Sequence, residues 1–178
     1  NMDGIIQHAN ENFLTTVGYT LDEIKGKHHS MFVDPAHRAS PEYAAFWDAL
    51  RSGTFSSGEY RRLGENGIEI FIQATYNPIL DHNGKPFRVV KFATDITGRT
   101  QAVDEIKHVM TKLTEGDLTV NIEHALDGDF AVLGEAINQF INEMRGTITS
   151  INEAVETINV ASGEIATGNA DLSSRTEQ

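Results

Sequence analysis

Apolar residues recur with two different periods in this chain, and the change of period falls near residue 96. Before it, Phe55–Leu63, Ile68–Ile79 and Phe87–Ile96 are rich in Ile, Val, Phe, Tyr and Thr, and Ile70 to Tyr76 alternates apolar with polar. A period of two puts one face of a strand in a core and the other outside. The segments between, Gly64-Glu65-Asn66-Gly67 and Asp81-His82-Asn83-Gly84, supply turn residues with glycine where a positive φ is needed. After it, Val103, Ile106, Met110 and Leu113 follow helical 3–4 spacing, and so do Leu133, Ile137, Phe140, Met144, Ile148, Ile151, Val155, Ile158 and Ile165. A narrow apolar seam on a helix this long calls for a partner helix, most simply the same helix of a second copy. The chain therefore reads as an α+β domain of antiparallel strands followed by an all-α, dimeric coiled-coil part.

The first domain opens with a short strand, Gly4–Ala9, and a helix from Asn10 to Val17. Thr20 and Glu23 form a capping box for the next turn. Ser40-Pro41 opens a longer helix carrying Tyr43, Phe46, Trp47 and Leu50 on one face, and Gly53 ends it. In the second part, Thr114 to Leu118 breaks the first helix. Gly116 supplies the turn, and Leu118, Val120 and Ile122 pin a connector to the bundle. The second helix starts near Asp129. Its four-residue step from Met144 to Ile148 is a stutter, which locally unwinds a supercoil.

Charge divides at the same place. The net charge is -12 overall; residues 1–100 carry 10 Lys/Arg and 12 Asp/Glu, and residues 101–178 carry 4 and 14. Phosphate contacts need cations, so nucleic acid and anionic lipid are not expected partners. No apolar run approaches the ~20 residues that span a bilayer. The opening NMDGIIQHANENF has the character of mid-domain sequence, so the chain reads as a segment of a longer protein.

Catalytic motifs are lacking. There is no His-Glu-x-x-His, phosphate-cradling glycine loop or calcium loop, and with zero cysteines no thiolate site. Enzymatic activity is not expected. The stretch GKHHSMFVDPAH places three of the seven histidines, His28, His29 and His37, within ten positions. Adjacent side chains diverge, so His28 and His29 do not suit one zinc ion. His8, His82, His108 and His124 have no partners that suggest a role.

Residues Asp3-Gly4, Asn10 to Phe13, Gly18-Tyr19, Glu23-Ile24, Gly26, His28 to Phe32, Phe46-Trp47, Gly58 to Tyr60 and Asp95-Ile96-Thr97 resemble a PAS domain of bacterial chemoreceptors. Glu115 to Leu118 and Asp129 to Leu133 resemble the two helix boundaries of a HAMP signalling module. Glu164 to Gln178 is similar to the start of the cytoplasmic hairpin of methyl-accepting chemotaxis proteins. The resemblance implies a PAS sensor over 1–98, a HAMP-like parallel coiled-coil module over 99–151 and the start of the chemoreceptor coiled coil over 152–178. It also implies a cytoplasmic homodimer, soluble or anchored elsewhere, acting on a chemotaxis histidine kinase through a coupling protein.

The resemblance further implies a pocket between the sheet and the Trp47 helix, sensing oxygen, redox state or a small ligand. Haem b would take His28 or His29 as axial ligand, imidazole nitrogen being its usual donor. FAD is the alternative, with Trp47, Asn10 and Asn12 around it. Each has a plain counterpart: Asn10 as a helix cap, Trp47 as core, one histidine as a turn cap. Signal transfer would run through Asp95 and Thr97 at the strand–helix junction, with Gly116 beyond. A PAS domain without ligand, serving only dimerisation or scaffolding, is the second reading; a sensor fragment of a histidine kinase is a third, which the chemoreceptor-like tail speaks against.

Overall fold

The computed structural model describes residues 1–124 and 126–176. The chain divides into two compact units, Asn1–Gln101 and Ala102–Gln178.

In the first unit, α1 (Glu11–Val17) is capped by the Asn10 carboxamide, which accepts from the Phe13 amide at 3.1 Å. α2 (Leu21–Ile24) carries the Thr20/Glu23 capping box, and α3 (Pro35–Arg38) starts on Asp34. α4 (Pro41–Arg51) starts on Ser40 and buries Tyr43, Trp47 and Leu50. β1 (Ser56–Leu63), β2 (Glu69–Leu80) and β3 (Pro86–Asp95) form an antiparallel sheet in that order. The β1–β2 turn works because Asn66 and Gly67 both take positive φ, 56° and 77°. Ile70, Ile72, Ala74 and Tyr76 of β2 point inward and meet Trp47, Leu50 and Phe32 in one core.

The expected strand at Gly4–Ala9 is reduced to a single bridge, Ile5 to His28. Three backbone bonds hold this segment, Ile6 N to Lys27 O, Gly26 N to Ile6 O and His29 N to Gly4 O, at 2.8–2.9 Å. The pairing stops there because His28 Nδ1 accepts from the Ser30 amide at 3.0 Å and turns the chain into a 3-10 helix, His29–Phe32.

The second unit contains α5, which runs Thr97–Thr114 and so begins in the first unit, and α6 (Asp129–Thr176). Gly116, at φ +84°, ends α5 as the turn demands, its amide bonding Leu113 O at 3.0 Å. Val109, Ile122 and Ile141 form the core, with Ile106, Leu113, Val120, Leu126 and Ile137 around it. Within the single chain the inner place on α5 belongs to Val109, while Met110 of the expected seam is exposed, as the seam residues of α6 are. The connector accounts for this: it crosses α5 on the Val109 side and sets Ile122 there.

Two α6 side chains that the periodicity did not single out fasten this connector. Asn138 accepts from the Ile122 amide at 2.9 Å and donates to the Ile122 carbonyl at 3.0 Å. Arg145 donates to the carbonyls of Leu118 and Val120. Asn138→Ala strands one donor and one acceptor beside the core. It is expected to cost about 2 kcal/mol, read as a lower urea midpoint for the helical unit by circular dichroism.

Candidate functional site

The first unit's core is built around a histidine. His29 is buried among Phe32, Tyr43, Phe46, Trp47 and Tyr76, with ring centroids 5.5–6.4 Å away. Its Nδ1 lies 3.1 Å from the Tyr43 hydroxyl and its Nε2 3.2 Å from that of Tyr76. Arg62 Nη2 donates to the Tyr76 oxygen at 3.2 Å. The arrangement that pairs both ring nitrogens and gives the buried Tyr76 hydroxyl both a donor and an acceptor has that hydroxyl donating to Nε2 and Nδ1–H donating to Tyr43. Burial, with Arg62 and Lys91 nearby, holds the His29 pKa well below its ordinary value, so the ring is neutral. Burial also raises the pKa of Tyr43 and Tyr76.

Beside this cluster lies a cleft of about 1000 Å³. Residues 4–16 form one wall, and β2 and β3 the other. Phe13, Phe32, Trp47 and Tyr76 give it apolar, aromatic sides; Asn10, Asn12 and His29 also reach it. Pockets of this size and lining suit a small flat organic ligand.

Lys91 projects into the cleft. The β2–β3 register sets it opposite Tyr76, on the inner face. Its ammonium sits 4.3 Å from the Phe13 ring centroid and 5.6 Å from that of Tyr76. Among the described residues it has no ion pair. Burial first, and Arg62 second, lower its pKa from 10.5 to about 7.

The candidate residues are not all in one place. His29, Trp47, Asn10 and Asn12 line the cleft. His28 is not part of its lining; the Nδ1 is used as the turn cap, and the Nε2 is packed against Gly4, where an added Cβ would lie 2.5 Å from it. His37 is exposed on α3, 3.5 Å from the Ser40 hydroxyl. Asp95 and Thr97 meet at the end of β3: Asp95 Oδ1 accepts from the Thr97 hydroxyl at 2.6 Å and the Thr97 amide at 2.9 Å. Gly116 lies in the second unit.

Haem does not fit these residues. Both His29 nitrogens are engaged in the core, and ligation through Nε2 would strand the buried Tyr76 hydroxyl. Neither nitrogen of His28 opens on the cleft. A flavin fits better. Asn12 and the free Nδ2 of Asn10 remain for a polar edge, and Phe13 and Trp47 for its faces. Among the described residues no group of three or more metal-ligating side chains exists, and no helix is long and apolar enough to cross a membrane.

Residues 6–93 match the sequence profile of the PAS fold. These residues form a PAS domain. Over 179 aligned residues, covering 90% of this chain and 43% of the relative, the chain is 31% identical to biofilm dispersion protein BdlA of Pseudomonas aeruginosa. It is 30% identical to the aerotaxis receptor of Escherichia coli over 105 residues, 59% of this chain and 19% of the receptor. The chain thus spans less than half the length of either relative. A solved RNA-binding light-oxygen-voltage receptor shares the fold, with a TM-score of 0.50 at 18% identity over 64% of this chain and 32% of that one. The PAS domain is therefore homologous to parts of a biofilm dispersion protein and of an aerotaxis receptor.

Lys91, Arg62, Tyr43 and Tyr76 were not singled out as site residues by the sequence. No residue pattern signals Lys91; only the strand pairing shows that β3 carries it inward and leaves its neighbour Phe92 67% exposed, against the apolar-in rule. Such local violations fall at functional or strained positions.

Proposed function

We propose that the chain is the sensory and transmitting part of a chemoreceptor-type protein. A small flat ligand occupies the PAS cleft, and its presence alters how the sheet holds the start of α5. The observation that carries this reading is the junction at Thr97. The Thr97 hydroxyl accepts from the Phe71 amide at 3.0 Å while donating to Asp95, and the Ile96 amide donates to the Phe71 carbonyl at 2.8 Å. The first residue of α5 is thereby fastened to β2, a strand of the cleft wall. If flavin is the occupant, it would supply redox chemistry, while the chain's own residues bind and orient it.

The helical unit then acts as a HAMP-like module in a parallel homodimer. Support for the dimer comes from α6: Leu133, Phe140, Met144, Ile148, Ile151, Val155, Ile158 and Ile165 are exposed along one helix of a single chain. The stutter at Met144–Ile148 keeps two packings of that dimer close in energy, as a switch requires. Beyond it, the output is control of a chemotaxis histidine kinase through a coupling protein, in the cytoplasm and without enzymatic activity of this segment.

The test is Thr97→Val in the full receptor, reading kinase activity with and without stimulus. Loss of the response, its recovery in Thr97→Ser and a PAS domain that stays folded with a urea midpoint only modestly lowered are the expected results. A normal response in Thr97→Val and Asp95→Ala together would remove the junction from the mechanism. A normal response when Ala74→Leu fills the cleft would favour the ligand-free scaffold.

A further inference from the structure

The cleft also indicates the charge of what it holds. We infer that the PAS cleft binds a flat organic carboxylate, its aromatic or conjugated body between Phe13 and Trp47 and its carboxylate on the Lys91 ammonium. This rests on the sensor reading above and narrows it to a ligand class.

Three observations converge. The protein carries a net charge of -12, yet the charged residues lining its cleft are Arg88, Lys91 and Asp95, a cationic excess. Asp95 is engaged by Thr97. The buried charged or polar residues beneath are His29 and Arg62, and no carboxylate is among them. A half-buried ammonium held against aromatic rings without a counter-ion is costly, and an anionic ligand would offset that cost. Finally, Lys91 takes an inward place opposite Tyr76 that an apolar side chain would fill at less cost, while its neighbour Phe92, which also borders the cleft, is largely exposed. Aromatic walls on either side of a single cation suit a planar monoanion, with the charge-assisted hydrogen bond setting its orientation.

The charged and titratable groups around Lys91 are Arg62 on β1, Tyr76 on β2 and His29 in the 3-10 turn, with Arg88 and Asp95 of its own strand elsewhere on the cleft lining; α1 offers the uncharged Phe13 ring. Of these, Lys91 is the group with a pKa near 7. A carboxylate bound to it raises that pKa, so binding at pH 8 must take up a proton at Lys91.

The experiment uses cinnamate and benzoate against cinnamamide and benzamide, with lumiflavin as a neutral flat comparator. Titrations are followed by calorimetry in buffers of different ionisation enthalpy and by fluorescence of Trp47, the one tryptophan in the chain. The expected result is saturable binding of a carboxylate at least tenfold tighter than its amide, with proton uptake approaching one at pH 8. Lys91→Met should abolish both the preference and the uptake. Equal binding of acid and amide, or tight lumiflavin binding without a carboxylate preference, overturns the anion assignment and leaves the sensor reading standing. Binding by none of these probes also overturns it; if Ala74→Leu in addition leaves receptor output normal, the sensor reading fails with it.

Discussion

Replacing Lys91 with methionine is expected to stabilise the PAS domain by about 3 kcal/mol at pH 6, in the absence of ligand. The reason is linkage. Lys91 has a pKa near 7 in the folded chain and 10.5 unfolded, so the unfolded state holds the proton more strongly. Below pH 7 the ammonium is charged in both states, and folding bears the full desolvation cost, up to about 5 kcal/mol for a shift of this size. Methionine fills the same stem volume without charge, and loses an attraction to the Phe13 and Tyr76 rings of about 1–2 kcal/mol. As pH rises from 7 towards 10.5, the folded lysine is already neutral while the unfolded one sheds its proton. The wild type therefore regains stability, and its gap to Lys91→Met should narrow across that window. Urea unfolding followed by Trp47 emission at pH 6, 8 and 10 reads both the size of the gap and its slope. A variant less stable than wild type at pH 6 would mean that Lys91 has a partner in the folded chain.

Gly64→Ala is expected to destabilise the same domain by about 3 kcal/mol or more. Gly64 precedes the β1–β2 turn, and its amide bonds Ile68 O at 2.8 Å. A Cβ there would stand 2.7 Å from the carbonyl oxygen of Val17 and 2.8 Å from Ile70 Cδ1. Val17 is the last residue of α1, and Ile70 is in the core, so relief requires the end of α1 to move away from the hairpin. A flexible side chain could give way cheaply; a helix-end carbonyl cannot. Gly26→Ala makes the comparison informative. Gly26 has φ +81°, yet nothing lies within 4 Å of an added Cβ, so its cost is confined to backbone strain of about 1 kcal/mol. Similar urea midpoints for the two variants would contradict the close packing at Gly64.

Much of this architecture was legible in residue patterns because local chemistry determines it. Asn10, Thr20 and Ser40 are caps wherever they precede an apolar helical run, and the three strands fall within a residue of their expected limits. The histidine pair was legible only as a candidate. Adjacent residues with the same chemistry take opposite parts: His28 closes a turn through its own backbone neighbour, whereas His29 reaches Tyr43 and Tyr76, 14 and 47 positions away. Partners that distant depend on how α4 lies against β2, which periodicity does not encode. Lys91 was missed for a related reason. On an edge strand with Val89 on one face and Phe92 on the other, composition does not say which face turns inward; the pairing of Lys91 with Tyr76 decides it. In the second unit, the seam of α6 was visible, but Asn138 and Arg145 serve backbone groups of an irregular connector that leaves no periodic trace.

The coupling of cleft to helix is tested most directly by amide hydrogen exchange on this chain, comparing wild type with Ala74→Leu. Ala74 is buried on β2 and lines the cleft, so leucine there imitates an occupant without depending on its identity. If the junction transmits, exchange changes at the Phe71 and Ile96 amides and at Thr100, whose amide bonds Ile96 O at 2.9 Å in the first turn of α5. If the change stays within the cleft walls and the amides of residues 96–101 exchange as in wild type, the cleft and α5 are not coupled and the proposed relay is wrong.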